Sequence, residues 1–127
     1  MLRTSSWGKL VKFFLIALVS MSMIGGASAH AKMEASVPGD GETIAAGLSQ
    51  IELRFGNKLR LTLVRVWCKT SDGNDEITVT GIPKTFTTQA KVFVTPLEAG
   101  DYNVIWTGVG KDGHVMEGSF SFKVSEG

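Results

Sequence analysis

The feature that most constrains the fold of this 127-residue chain is an alternation of apolar and polar residues with a period of two. The alternation recurs in short segments from about residue 32 onwards, and turn-forming stretches such as SDGND (71–75) and GIP (81–83) separate the segments. A period of two sends successive side chains to opposite faces of a β-strand, whereas no segment here sustains a helical period. The pattern therefore predicts an all-β domain whose strands each bury one face.

About seven short strands are expected, which favours an immunoglobulin-like or Greek-key β-sandwich of barrel-like shape. The apolar parity set by IELRF and Leu59 changes near Leu63, and such a change indicates a bulge or a strand boundary. Tyr102, in LEAGDY, stands where these sandwiches carry a tyrosine that hydrogen-bonds back to the preceding corner. Further strands are expected near 32–36, 76–80, 91–95, 102–106 and 120–124.

Residues 1–29 have the pattern of a cleaved secretory signal peptide, which leaves 30–127 as one domain. Three basic residues (Arg3, Lys9 and Lys12) precede an apolar run, and Ala27-Ser28-Ala29 fits the cleavage site. The apolar run of about a dozen residues is shorter than the roughly 20 that a membrane-spanning helix needs. We therefore expect an exported domain that begins at His30.

Charge and cysteine content narrow the function further. Without the leader, ten basic residues face twelve acidic ones, a formal charge of −2, and no basic run exists to bind nucleic acid. Cys68 is the only cysteine, so no intrachain disulfide can form, and its spacing from Val64 and Val66 predicts a core position. A thiolate ligand or an intermolecular bridge is the alternative for Cys68.

Two histidines remain after the expected cleavage, and both stand in conspicuous places. His30 would carry a free α-amine beside its imidazole, and His114 follows Asp112 by two residues in KDGHVMEG. In an immunoglobulin-like sandwich, the chain start, the loop around Asn57 and the loop 111–114 fall at one end. Two imidazoles, one amine and one carboxylate suit Cu(II), although Zn(II) accepts the same ligands. Alternatively, KDGH is an ordinary hairpin turn and His114 a surface histidine.

Four segments of the chain resemble the CopC family of exported copper-binding proteins. They are HAKMEASVPGDGETI, IELRFGN, LEAGDYNVIW and KDGHVMEGSFSFKV, and together they cover essentially all of 30–127 in the right order. The resemblance implies a Greek-key barrel or sandwich, a periplasmic location and one Cu(II) ion per chain. The ligands it implies are His30, through its amine and imidazole, together with Asp112 and His114.

Two departures from the family pattern matter. Some relatives carry a glutamate where Asn57 stands here, and a neutral amide is a weaker copper ligand. Some relatives also carry a methionine-rich loop for Cu(I), whereas only Met33 and Met116 follow the leader here. The sequence therefore predicts one Cu(II) site and no Cu(I) site.

Three functions remain open on this basis. The first is a copper carrier or buffer for copper homeostasis or resistance, which the family resemblance links to an inner-membrane transporter of the CopD type or to another periplasmic carrier. The second is an oxidative enzyme, because a terminal histidine with a second histidine resembles a histidine brace. The third is a metal-free interaction module. No nucleophile motif is visible and the domain is small, so we interpret the chain as a binding protein and not an enzyme.

Overall fold

The computed structural model describes residues 33–126, and every regular element in this range is a β-strand. This confirms the all-β sandwich of about seven strands. The expected leader (1–29) and His30 lie outside the described residues. Within the described part of the chain, no helix is long and apolar enough to span a membrane. The strands are β1 (Met33–Val37), β2 (Thr43–Ala45), β3 (Gln50–Thr70), β4 (Gly73–Ile77), β5 (Thr87–Phe93), β6 (Gly100–Gly110) and β7 (Val115–Ser125).

The long strand β3 joins the two halves of the curled sheet. Its first part pairs with β1 and with most of β5, and its second part, from Leu59, pairs with Thr87 at the start of β5 and with β4 and β6. Strand β7 then pairs with β6, and β2 adds in parallel to the outer edge of β7. The changeover falls at 56–58, between Phe55, the last residue of β3 that pairs with β1, and Leu59, the first that pairs with β6.

The prediction of a loop around Asn57 is therefore wrong. Asn57 lies inside β3, because the backbone exchanges one set of strand partners for the next without leaving the extended conformation. Its position at the bend between the two halves still places it at one end of the molecule.

Of the two alternatives predicted for the parity change near Leu63, the structure excludes a strand boundary, because β3 continues through Leu63, and favours a β-bulge. The pairing of β3 with β6 shifts register between Leu61 and Leu63. Leu61 and Val64 are buried, whereas the Leu63 side chain between them is 41% exposed. The extra residue thus restores the inward direction of the apolar side chains for the rest of the strand.

The hydrophobic core draws buried side chains from both halves of the sheet. Its members are Ile51, Leu53, Phe55, Leu59, Leu61, Val64, Val66, Ala90, Val92, Val94, Leu97, Tyr102, Val104, Trp106, Phe120, Phe122 and Val124.

Tyr102 occupies the corner predicted for it. Its hydroxyl donates a hydrogen bond to the Glu98 carbonyl oxygen over 2.7 Å, and its ring stacks on Phe122 with centroids 5.3 Å apart. Burial of the phenol raises the pKa of Tyr102 to about 12, and the neighbouring Cys68 adds to the shift. Cys68 itself is half-buried and packs against the core, close to the predicted position.

The turn SDGND is shorter than the sequence indicated. Only Ser71 and Asp72 form the turn, and β4 begins at Gly73, whose φ of 138° lies in a region that favours glycine. Because the hairpin closes so tightly, Asn74 already pairs with Lys69. The strand expected at 76–80 instead runs from Gly73 to Ile77, and Thr80 forms only an isolated bridge with Phe93.

Candidate metal centre

The turn between β6 and β7 holds the two described members of the predicted ligand set. The Gly110 amide donates to the His114 carbonyl oxygen over 2.9 Å, and the Gly113 amide donates to the Gly110 carbonyl oxygen over 3.0 Å. Gly113 has a φ of 86°, a conformation that residues with a Cβ rarely adopt. This closed turn places Asp112 and His114 side by side.

Asp112 and His114 are in direct contact. His114 Nδ1 lies 2.7 Å from Asp112 Oδ2, and the His114 backbone amide donates to Asp112 Oδ1 over 3.1 Å. Their side chains are 61% and 74% exposed, so an ion can reach both from solvent. The hydrogen bond with the ring lowers the pKa of Asp112 and, reciprocally, raises the pKa of His114.

The geometry of this pair is compatible with a shared metal ion. Two donor atoms bound at right angles to one ion, with bonds of about 2.0 Å, lie about 2.8 Å apart. The observed separation of 2.7 Å between Asp112 Oδ2 and His114 Nδ1 is close to that value. The ion would take the place of the proton between the two atoms, because a ring nitrogen that donates a hydrogen bond has no lone pair left for a metal. An imidazole nitrogen and a carboxylate oxygen in this arrangement would supply two of the four ligands of a Cu(II) or Zn(II) shell.

The pair needs further ligands to hold an ion tightly. Within residues 33–126, no three His, Cys, Asp or Glu side chains come together in a metal-binding group. The third predicted ligand, His30, precedes Met33, the first residue of β1, by three positions. Met33 pairs with Phe55, which lies two residues before Asn57 in β3, so β1 starts near the bend of that strand.

Asn57 and the 111–114 turn meet, as the sequence predicted. A cavity of about 410 Å³ beside the turn is lined by Asn57, Lys58, Gly110, Lys111, Asp112 and Met116. The pairing of Leu59 with Gly110 creates this neighbourhood, because it brings the bend of β3 to the end of β6.

The sequence did not identify two side chains that border the cavity. Lys58 and Met116 both line it, one from the bend of β3 and the other from the start of β7. Met116 precedes Phe120 by an even number of residues, so β-strand parity alone predicts that it points inward. Its contact with the cavity follows only from the pairing of β3 with β6.

Comparisons with known proteins place these observations in a family. The CopC domain family model matches residues 33–125. Copper resistance protein C of Pseudomonas syringae pv. tomato is 31% identical over an alignment of 129 positions, gaps included, that covers 88% of this chain and 94% of the relative.

Two solved structures share the fold. The crystal structure of PcoC, a methionine-rich copper resistance protein from Escherichia coli, matches with a TM-score of 0.64 and 25% identity, over 76% of this chain and 99% of PcoC. CopC from Methylosinus trichosporium OB3b matches with a TM-score of 0.59 and 22% identity, over 76% of this chain and 95% of the other.

Proposed function

The chain belongs to the CopC domain family, and from that premise we propose that it is an exported Cu(II)-binding protein that serves copper trafficking, buffering or resistance. One ion binds per chain. Its ligands are the amine and imidazole of His30, the carboxylate of Asp112 and the imidazole of His114. The relative's name, copper resistance protein C, supports copper as the metal in preference to zinc.

The observation that carries the proposal is the contact between Asp112 and His114. The closed turn holds a carboxylate and an imidazole within 2.7 Å of each other on an exposed surface. An ordinary surface histidine needs no such partner. A preformed pair of donors reduces the entropy that metal binding costs, because neither ligand has to be ordered from solution.

The distance from β1 to the turn is compatible with His30 as the remaining ligand. Three residues can span roughly 10 Å of extended chain between Met33 and His30. Met33 pairs with Phe55, and Asn57, two residues further along β3, lines the same cavity as Asp112. A nitrogen-rich set with one carboxylate then gives the tetragonal shell that Cu(II) prefers.

Location and partner follow from the leader and the family. A cleaved leader at 1–29 would deliver the domain to the periplasm and expose the amine of His30. There the protein would exchange copper with an inner-membrane transporter of the CopD type or with another periplasmic carrier. Because both described ligands are exposed, a partner can approach the ion directly.

Copper titration of the protein beginning at His30 tests the site. We expect one Cu(II) ion with a tetragonal spectrum. We expect His114→Ala and Asp112→Asn each to weaken binding by at least about tenfold, since the first removes a ligand atom and the second replaces an anionic oxygen ligand by a weaker neutral amide. Asp101→Asn is the matched control. Asp101 is an exposed carboxylate at the start of β6, whereas Gly110 and the turn with Asp112 lie at the other end of that strand.

The control should bind copper like the unaltered protein. Equal losses in Asp101→Asn and Asp112→Asn would show that only overall charge matters, and an unaltered affinity in His114→Ala would overturn the site. Because both substituted side chains are mostly exposed, the fold should survive, which circular dichroism checks.

A further inference from the structure

Met116 is a soft donor at the edge of the proposed copper site. Its side chain is half-buried at the start of β7 and lines the same cavity as Asp112. A methyl group built on Gly110 would lie 2.8 Å from Asp112 Oδ1 and 3.0 Å from Met116 Cε. The carboxylate of Asp112 and the terminal methyl group of Met116 therefore both lie close to the backbone of Gly110.

Reaching the ion requires only a small rearrangement of the methionine. Methionine is unbranched, has three rotatable side-chain bonds and adapts readily to its surroundings. Its terminal methyl carbon and Asp112 Oδ1 lie 3.0 Å and 2.8 Å from the same point above Gly110, hence within about 5.8 Å of each other, and the sulfur is one bond from that methyl carbon. The free space beside the turn, about 410 Å³, leaves room for that rotation.

The charges around the cavity favour a monovalent ion relative to a divalent one. Lys58 and Lys111 both line it, and its other polar side chains are the carboxylate of Asp112 and the neutral amide of Asn57. Coulomb repulsion scales with the charge of the ion, so each ammonium opposes Cu(II) twice as strongly as Cu(I). Thioether sulfur, in turn, selects Cu(I) over Cu(II).

From this arrangement we infer that the same end of the domain also binds Cu(I), with Met116 as a thioether ligand and His114 as an imidazole ligand. The inference rests on the proposed Cu(II) site and extends it to the reduced ion. It departs from the expectation that the lack of a methionine cluster excludes Cu(I), since one thioether together with one imidazole would supply two donors that suit this ion. Copper could then remain bound when external thiols reduce Cu(II) to Cu(I), each ion taking one electron as two thiols join in a disulfide for every two ions reduced.

Anaerobic titration against a chromophoric Cu(I) chelator tests this, with Met116→Leu as the variant and Met33→Leu as the matched control. Met33 is also half-buried against the core, but it is not among the described residues that line the cavity. We expect Met116→Leu to weaken Cu(I) binding at least tenfold and to change Cu(II) affinity less than threefold, while Met33→Leu changes neither. Leucine conserves the volume of methionine, so folding should be retained.

X-ray absorption at the copper edge gives a second readout that needs no variant. The Cu(I) form of the unaltered protein should show one sulfur neighbour. A shell without sulfur, or a Met116→Leu protein with full Cu(I) affinity, would overturn the inference and leave the Cu(II) site standing. Failure of the unaltered protein to bind Cu(II) would instead overturn the proposed function.

Discussion

Tyr102 shows how a single residue reports on the packing of the domain. It is the only tyrosine in the chain, it is buried, and its hydroxyl donates to the Glu98 carbonyl oxygen. Burial disfavours the charged phenolate, which is why the pKa of Tyr102 rises from 10.0 to about 12. The corner that this hydrogen bond stabilises lies between the end of β5 and the start of β6.

Titration of the ultraviolet absorbance of tyrosinate should therefore give one transition, near pH 12 in the folded protein and near pH 10 in denaturant. Because the folded pKa is the higher one, this group's contribution to the free energy of unfolding is fully present below pH 10 and is lost as the pH rises through about 12. Tyr102→Phe should remove that alkaline loss. A folded protein that titrates near pH 10 would contradict the buried corner.

At the scale of residues, the sequence predicted what depends on near neighbours. Asp112 and His114 are separated by one glycine, and Tyr102 lies four residues from its acceptor Glu98, so local spacing was sufficient. Met116 is also close in sequence to His114. Its place in the cavity was missed because it depends on which side chains the opposite strand, β3, brings there.

At the scale of elements, β6 and β7 pack closely because a tryptophan side chain on one strand lies over a glycine on the other. Trp106 on β6 pairs with Gly118 on β7, and the indole packs edge-on against Phe55 with centroids 4.9 Å apart. Trp106 is 1% exposed, and its Nε1 has no hydrogen-bond partner among the described residues. The glycine leaves the space that the ring fills, so packing rather than hydrogen bonding fixes this side chain.

Gly118→Ala should destabilise the domain by about 1–3 kcal/mol, the usual cost of overpacking a core. The new methyl group would lie 2.8 Å from three atoms of the Trp106 ring. Gly39→Ala is the control, because its methyl group meets only ordinary contacts, the nearest 3.4 Å away at Glu42 Oε2. Chemical denaturation should show a loss for the first variant and little change, or a gain of up to about 1 kcal/mol, for the second. Equal losses would contradict the role of the ring.

Strand bounds were predicted less well than strand existence, and β3 shows why. The alternation of Ile51 and Leu53 and the parity change at Leu63 were readable, since they reflect burial along one strand. The bend at Asn57 reads as a loop in the sequence, because nothing local records that β3 exchanges partners there. Only the pairing of Met33 with Phe55 and of Leu59 with Gly110 defines it.

At the scale of the whole molecule, the metal end is assembled from segments that are distant along the chain. The bend of β3 and the turn 111–114 are more than 50 residues apart, and the fold joins them through a long-range antiparallel pair. His30, outside the described residues, would add a third segment. A site of this kind stabilises the fold when it is filled, because the ion binds only where all segments are in place.

Extension of the protein by one residue before His30 should consequently weaken Cu(II) binding by more than about a hundredfold, since even the loss of an outer-shell contact costs 10–100-fold. The extension turns the amine into an amide and removes both a ligand and its chelate ring with the imidazole. The same residue added after Gly127 is the control and should change nothing. Isothermal titration measures the affinity, and thermal unfolding with copper gives a second readout, because the rise in melting temperature scales with the logarithm of that affinity. If the extended protein bound and were stabilised like the control, His30 would have no part in the site, and Asp112 and His114 would have to recruit their remaining ligands elsewhere.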